Sequence, residues 1–197
     1  MLPRLLFLTV AAVAIFFSAK GFRRVYRNIL LGKNEKIEGD RSARWRNVAL
    51  VALGQQKMFK LTLPAVLHLF IYVAFVITQV ELMEIFVDGT FGTHRFFAPF
   101  LGGLYTFVIS FIEILSVLAF VATIAFLLRR NVFRIQRFQK PELKGFPMRD
   151  ANLILLGEIT LIVGIFCMNG GDKLLQNRGF DHYFQTGNFA ISTWLVQ

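Results

Sequence analysis

Apolar residues run almost unbroken through four stretches of this chain, at 1–19, 61–86, 101–128 and 151–169, and polar residues collect between them. A helix needs about 20 apolar residues to cross the hydrocarbon layer of a membrane. The second and third stretches meet that length with ease, and the fourth meets it at its short end. In the first, the most apolar part is 5–19, followed directly by Lys20, Arg23, Arg24 and Arg27. A cleaved signal peptide carries its basic residues before the apolar run and a small residue at the cut, whereas Phe17 stands here, so a retained helix is expected. The pattern predicts an all-α, multi-pass transmembrane helix bundle of four spans. NFAISTWLVQ, at 188–197, opens like a fifth span and stops after ten residues. It reads as the start of an interrupted helix, either because the chain is a piece of a longer protein or because its end is an interfacial stub.

Boundary residues fit this division. Pro64 falls in the first turns of the second span, Asp150 is placed to cap the fourth after the turn-forming GFP at 145–147, and Gly170 with Gly171 marks its end. Loops are expected at 20–60, 87–100, 129–150 and 170–187. Within the first, Trp45, Val48, Ala49, Val51, Ala52 and Leu53 recur at helical spacing among Arg44, Arg46 and Lys57, the pattern of an interfacial helix on membrane lipid.

Composition agrees: 55% of residues are hydrophobic, 23 are phenylalanine, and the mean hydropathy is +0.57. The net charge of +10 raises nucleic acid as a partner, but the charges are not on one face. Of 22 Lys and Arg residues, 11 lie in 20–60 and seven in 129–149, against three acids and one acid respectively. Residues 81–98 carry Glu81, Glu84 and Asp88 against Arg95 alone. The positive-inside rule accounts for this distribution without nucleic acid, and it sets the N-terminus outside with both basic loops in the cytoplasm. Cys167 is the only cysteine, which excludes an internal disulfide and any cysteine-ligated iron–sulfur cluster held by this chain alone.

Chemistry-bearing side chains inside the spans are few. His68 lies seven residues into the second span, roughly 10 Å deep at helical rise. Its ring either donates a hydrogen bond to a neighbouring helix or ligates haem iron. His94 and His182 fall in the outer loops, too far along the membrane normal to share one iron with His68. Glu113 and Glu158 are intramembrane carboxyl groups. They either accept hydrogen bonds from Ser110, Ser116 or Thr160, or carry protons beside a quinone; Glu158 shares the depth of His68 and is also placed to orient its ring. Arg95, in FVDGTFGTHRFF at 86–97, either packs an outer loop on the helices or contacts a quinone or a haem propionate.

Two stretches carry a family resemblance: GQQKMFKLTLPAVLHLFIYVAFVITQVELMEIFVDGTFGTHRFF at 54–97 and FQKPELKGFPMRDANLILLGEI at 138–159. They resemble the N-terminal membrane part of bacterial iron–sulfur oxidoreductases. In those proteins a cytochrome b module, similar to the gamma subunit of respiratory nitrate reductase and to the membrane subunit of heterodisulfide reductase, precedes a cysteine-rich cytoplasmic region. The resemblance runs from about residue 32 to the end and implies a bundle of five or six helices that binds haem b and passes electrons between quinone and cytoplasmic iron–sulfur clusters. His68 matches the axial histidine of the family's second helix. The later helix with the partner histidines and the cysteine-rich region are not in this sequence. The expectation is therefore an electron-transfer module with an iron–sulfur domain or subunit as partner. The alternative is a cofactor-free membrane anchor or assembly subunit; a small transporter is disfavoured, because no repeat symmetry or pair of broken helices is seen.

Overall fold

Every long apolar stretch is helical in the computed structural model, which describes residues 2–33, 39–135, 140–143, 145–180 and 182–196. The order is α1 (Leu2–Leu30), α2 (Arg41–Asn47), α3 (Thr62–Phe91), α4 (Ala98–Leu101), α5 (Gly103–Asn131), α6 (Phe146–Asn177) and α7 (Ser192–Leu195). No strand occurs among the described residues. Four of these helices, α1, α3, α5 and α6, are long and apolar enough to cross a membrane, and the chain is a membrane protein on that ground.

All four outrun the apolar stretches that announce them. Helix α1 continues through Lys20 and the arginines to Leu30, and α3 continues to Phe91. Helical propensity is high in Lys and Arg, so a basic flank does not end a helix. The largest differences concern α6. Asp150 is not its cap: the helix starts at Phe146, after Gly145 in a positive-φ turn of +83°, with Pro147 in the first turn. Nor do Gly170 and Gly171 end it. The helix runs on to Asn177, because Asp172, Lys173 and Gln176 are buried and their side-chain bonds outweigh two glycines. The expected loop at 170–187 is thus helical in its first half. Of the basic loops, residues 34–38, 136–139 and 144 lie outside the described residues, as do Asp181 and Gln197.

The described residues form two units. The first comprises Met1–Lys60 and Phe86–Thr93. Here α1 buries none of its residues, although the ring of Phe7 meets Phe86 edge-on at 5.8 Å between centroids. Asp40 caps α2, its carboxylate accepting from the amides of Ser42 at 2.9 Å and Ala43 at 3.3 Å. A π-helical turn, Val48–Leu53, follows and closes with the Gly54 amide on the Ala49 carbonyl. Trp45, Val48, Leu50 and Leu53 are all exposed, as an interfacial segment requires.

The second unit comprises Leu61–Ile85 and His94–Gln197. Ala74 of α3, Leu115 and Ala119 of α5 and Ile162 of α6 pack together; small residues let the backbones approach. Nearer the 92–102 connection, Tyr105, Ile109 and Ile112 of α5 pack with Ala98 and Phe189. Phe189 belongs to an irregular return segment, 182–191, that leads from α6 back along α5. Irregular backbone at membrane depth must have its polar groups satisfied by protein. Here Thr106 accepts from the Gly187 amide at 3.2 Å and Thr193 from that of Phe189 at 2.7 Å. The expected fifth span is, in the described residues, the four-residue α7 that follows this segment.

Candidate functional site

Arg95 stands at the centre of the most polar part of the interior. It is 4% exposed, and its backbone is left-handed at φ +52°, unusual for a residue with a side chain. The strain is held by a guanidinium that spends its donors in three directions: Nε to Asp172 Oδ2 at 2.7 Å, Nη2 to Asn169 Oδ1 at 2.6 Å, and Nη1 to the Tyr105 hydroxyl at 3.0 Å. Burial alone works against its charge, and Tyr105 and Asp172 outweigh that, so its proton is held more tightly than in a free arginine. The tyrosine hydroxyl donates to Glu84, whose other oxygen accepts from the Phe97 amide at 2.9 Å. Glu81 is 1% exposed; Nη1 of Arg95 lies 3.9 Å from it, and neither of its oxygens accepts a well-formed hydrogen bond.

The cluster continues on both sides. His94 donates from Nε2 to Asp172 at 2.6 Å and accepts the Phe184 amide at Nδ1, 3.2 Å away, which places its proton on Nε2. Lys173 donates to the Thr186 carbonyl at 2.7 Å and to Gln176 at 3.1 Å. Deeper along α5, Glu113 is fully buried and gathers the Ile191 amide at 2.7 Å, the Ser192 amide at 3.2 Å, the Ser192 hydroxyl and the Asn169 amide at 3.3 Å. Its partners are thus not Ser110, Ser116 or Thr160; the Thr160 hydroxyl is turned back to the Leu156 carbonyl. Glu113 does for α7 what a capping aspartate does for a soluble helix.

This cluster is closed. Except at the Glu81 carboxyl and Gln176 Nε2, its donors and acceptors meet each other, and what they do together is fasten the return segment to α5 and α6. Arg95 therefore has no fork turned outward for a propionate or a quinone, and Glu113 has its oxygens engaged. Asp172, Asn169, Glu84, Tyr105, Lys173 and Gln176 are the members that the sequence reading missed. The available signals were the acids Glu81 and Glu84 near the end of the second apolar stretch and the charged pair Asp172–Lys173 directly after the fourth, the latter placed in the loop expected at 170–187.

The other intramembrane groups are open. A groove of about 340 Å³ runs between α3 and α6 over the floor formed by Ser116 and Ala119, and Glu158 is its acid. Ala74, Thr78, Gln79, Leu82, Leu161 and Ile165 are among its walls. Thr78 and Gln79 turn a donor back to the carbonyls of Ala74 and Phe75, leaving the Gln79 carbonyl and the Glu158 carboxyl as the groove's acceptors. His68 is exposed on α3, on the face that Phe75, Gln79 and Leu82 continue toward the groove. Among the described residues, no hydrogen bond, ion pair or ring contact engages its imidazole. Glu158 does not orient it. Cys167 is exposed. No group of three or more His, Cys, Asp or Glu side chains is arranged for a metal ion among the described residues. Comparison with models of protein families, with curated proteins and with solved structures gives no match for this chain.

Proposed function

We propose that this chain is the membrane electron-transfer module of a quinone-linked iron–sulfur oxidoreductase, with His68 as one axial ligand of a b-type haem. The observation that carries the reading is an imidazole at membrane depth, exposed on its helix and engaged by no other described residue. A polar ring in that position has only acyl chains beside it unless something else covers it, and lipid cannot satisfy its nitrogens. The competing anchor reading requires His68 to tie two helices together, and no described helix holds its ring. The resemblance at 54–97 and 138–159 points the same way.

The residues fit the group in one respect and bound it in another. His68 offers an unengaged nitrogen, and Tyr72 and Phe75 give aromatic flanks on the same helix. His94 has both ring nitrogens engaged and lies with His182 beside the opposite end of α6, so the second axial ligand belongs to another polypeptide segment. Bound there, haem supplies one-electron exchange. Glu158, in the groove with Gln79 and Ser116, exchanges a proton with quinone entering from the lipid. The two basic loops receive the iron–sulfur partner domain or subunit. On the orientation that the basic loops favour, His68 and Glu158 lie in the cytoplasmic half of a bacterial inner membrane.

The test is an absorption spectrum of the protein purified with its native partners, oxidised and then reduced. Reduced b-type bands are expected in the parent protein, lost in both His68→Ala and His68→Gln. Bands that survive both substitutions, or a colourless parent complex, sink the proposal. Glu158→Gln is expected to leave the bands in place and slow quinol-dependent haem reduction by about 10²–10⁴-fold, the range for loss of a proton-transfer group.

A further inference from the structure

Helix α1 continues past its apolar run with Lys20, Arg23, Arg24 and Arg27 at positions i, i+3, i+4 and i+7, so all four project from one face. With Asn28 and Leu31 they line a concavity of about 550 Å³. All four cations are exposed, and none meets a carboxylate among the described residues. Like charges at i and i+4 repel, as Lys20 with Arg24 and Arg23 with Arg27 must, and helix α1 carries no acid of its own to offset them. No described side chain offsets these four charges.

We infer that this face of α1 is a binding site for an anionic phospholipid headgroup, best filled by a lipid with two phosphates. Depth favours this occupant: Lys20 follows immediately on the apolar run, and Arg27 lies about 10 Å further along the axis. That interval covers the polar layer of one leaflet, about 5–7 Å thick. Three guanidinium forks in one hollow suit phosphate oxygens, which they engage two at a time, and two phosphates offset two of the four charges where a lone monovalent headgroup offsets one. Asn28 and Leu31 complete the hollow at the end away from the apolar run. Topology asks only that Lys and Arg lie on one side of the membrane. It does not ask that four share a face and a hollow. The inference does not depend on the haem reading.

Native mass spectrometry of the whole protein, stripped of lipid and then titrated with diphosphatidylglycerol, phosphatidylglycerol or phosphatidylcholine, tests the site. The expected order of retention is diphosphatidylglycerol, then phosphatidylglycerol, with phosphatidylcholine not retained. R23Q/R24Q/R27Q is expected to weaken diphosphatidylglycerol retention about 100-fold, about fivefold per charge. R129Q/R130Q/R134Q, which removes as many charges from the other loop, is expected to leave it within about twofold of the parent. Equal losses in the two triple variants would mean charge without a site and overturn the inference. So would displacement of the lipid by millimolar inorganic phosphate. If R23Q/R24Q/R27Q does not accumulate, the lipid series on the parent protein decides: phosphatidylcholine retained as well as diphosphatidylglycerol overturns it.

Discussion

Arg95 satisfies three partners at once from a left-handed backbone position, and no other side chain can replace it on those terms. Lysine has the charge but not the fork, so Arg95→Lys leaves at least two of Asp172, Asn169 and Tyr105 without their donor. Arg95→Met removes the charge as well and leaves Asp172 in the interior with the His94 ring as its remaining donor. Breaking one partner out of a buried pair costs about 3–5 kcal/mol. The expected result is that Arg95→Met unfolds in detergent at a markedly lower temperature than the parent, and that adding Asp172→Asn recovers part of the loss. If Arg95→Met melts with the parent, the guanidinium is not what holds the cluster. Glu113 makes a separate prediction. Glu113→Gln replaces one acceptor oxygen with a donor, which then faces either the amides of Ile191 and Ser192 or Asn169. Amide hydrogen exchange at Ile191 and Ser192 is expected to speed up by at least about tenfold, the loss of one charge-assisted bond of about 1.5–3 kcal/mol. Unchanged protection would count against Glu113 as the clasp of α7.

At the scale of elements, the return segment is where sequence reading and structure part. The four long helices are legible because apolar length is a local property, and their existence follows from residues counted along the chain. Their ends are not local: α6 continues past Gly170 because Asp172, Lys173 and Gln176 find partners on the 94–105 and 182–191 stretches, which no window around position 170 contains. The same reason hid the cluster. Glu113 was legible as a polar group out of place, and its partners, 56 to 79 residues on in the chain, were not. His68 and Glu158 were legible as residues, and their exposure became readable only once the helix faces were known. The segment's fit to α5 is close at Gly187, where an added Cβ would meet Thr106 Oγ1 at 2.7 Å. Gly187→Ala is therefore expected to push the segment off Thr106 and break the bond from the Gly187 amide, at a cost of about 1–3 kcal/mol. Thermal unfolding of that variant against Gly157→Ala, where the space around the glycine is open, isolates the effect. Equal stability of the two would show that the contact carries no weight.

For the whole molecule the distribution of charge has to fix which side faces the cytoplasm. Eighteen of its 22 basic residues lie in two intervals, and α1, α3, α5 and α6 alternate in direction only if those intervals share a side. On the proposed orientation the polar cluster lies toward the outer face, and there Arg95 is neutralised by buried acids and presents no net positive loop to oppose export. Placement of His68 and Glu158 near the proposed iron–sulfur partner depends on this orientation, which can be tested without any cofactor. With Cys167→Ser as background, single cysteines at Ser42→Cys, Phe133→Cys and Phe180→Cys report on the two basic loops and on the residues after α6, all at exposed positions. A membrane-impermeant maleimide applied to intact spheroplasts is expected to label Phe180→Cys alone, and all three after permeabilisation. Labelling of Ser42→Cys or Phe133→Cys in intact spheroplasts would reverse the orientation. It would put His68 on the outer side, where a cytoplasmic iron–sulfur partner cannot exchange electrons with it over a short distance.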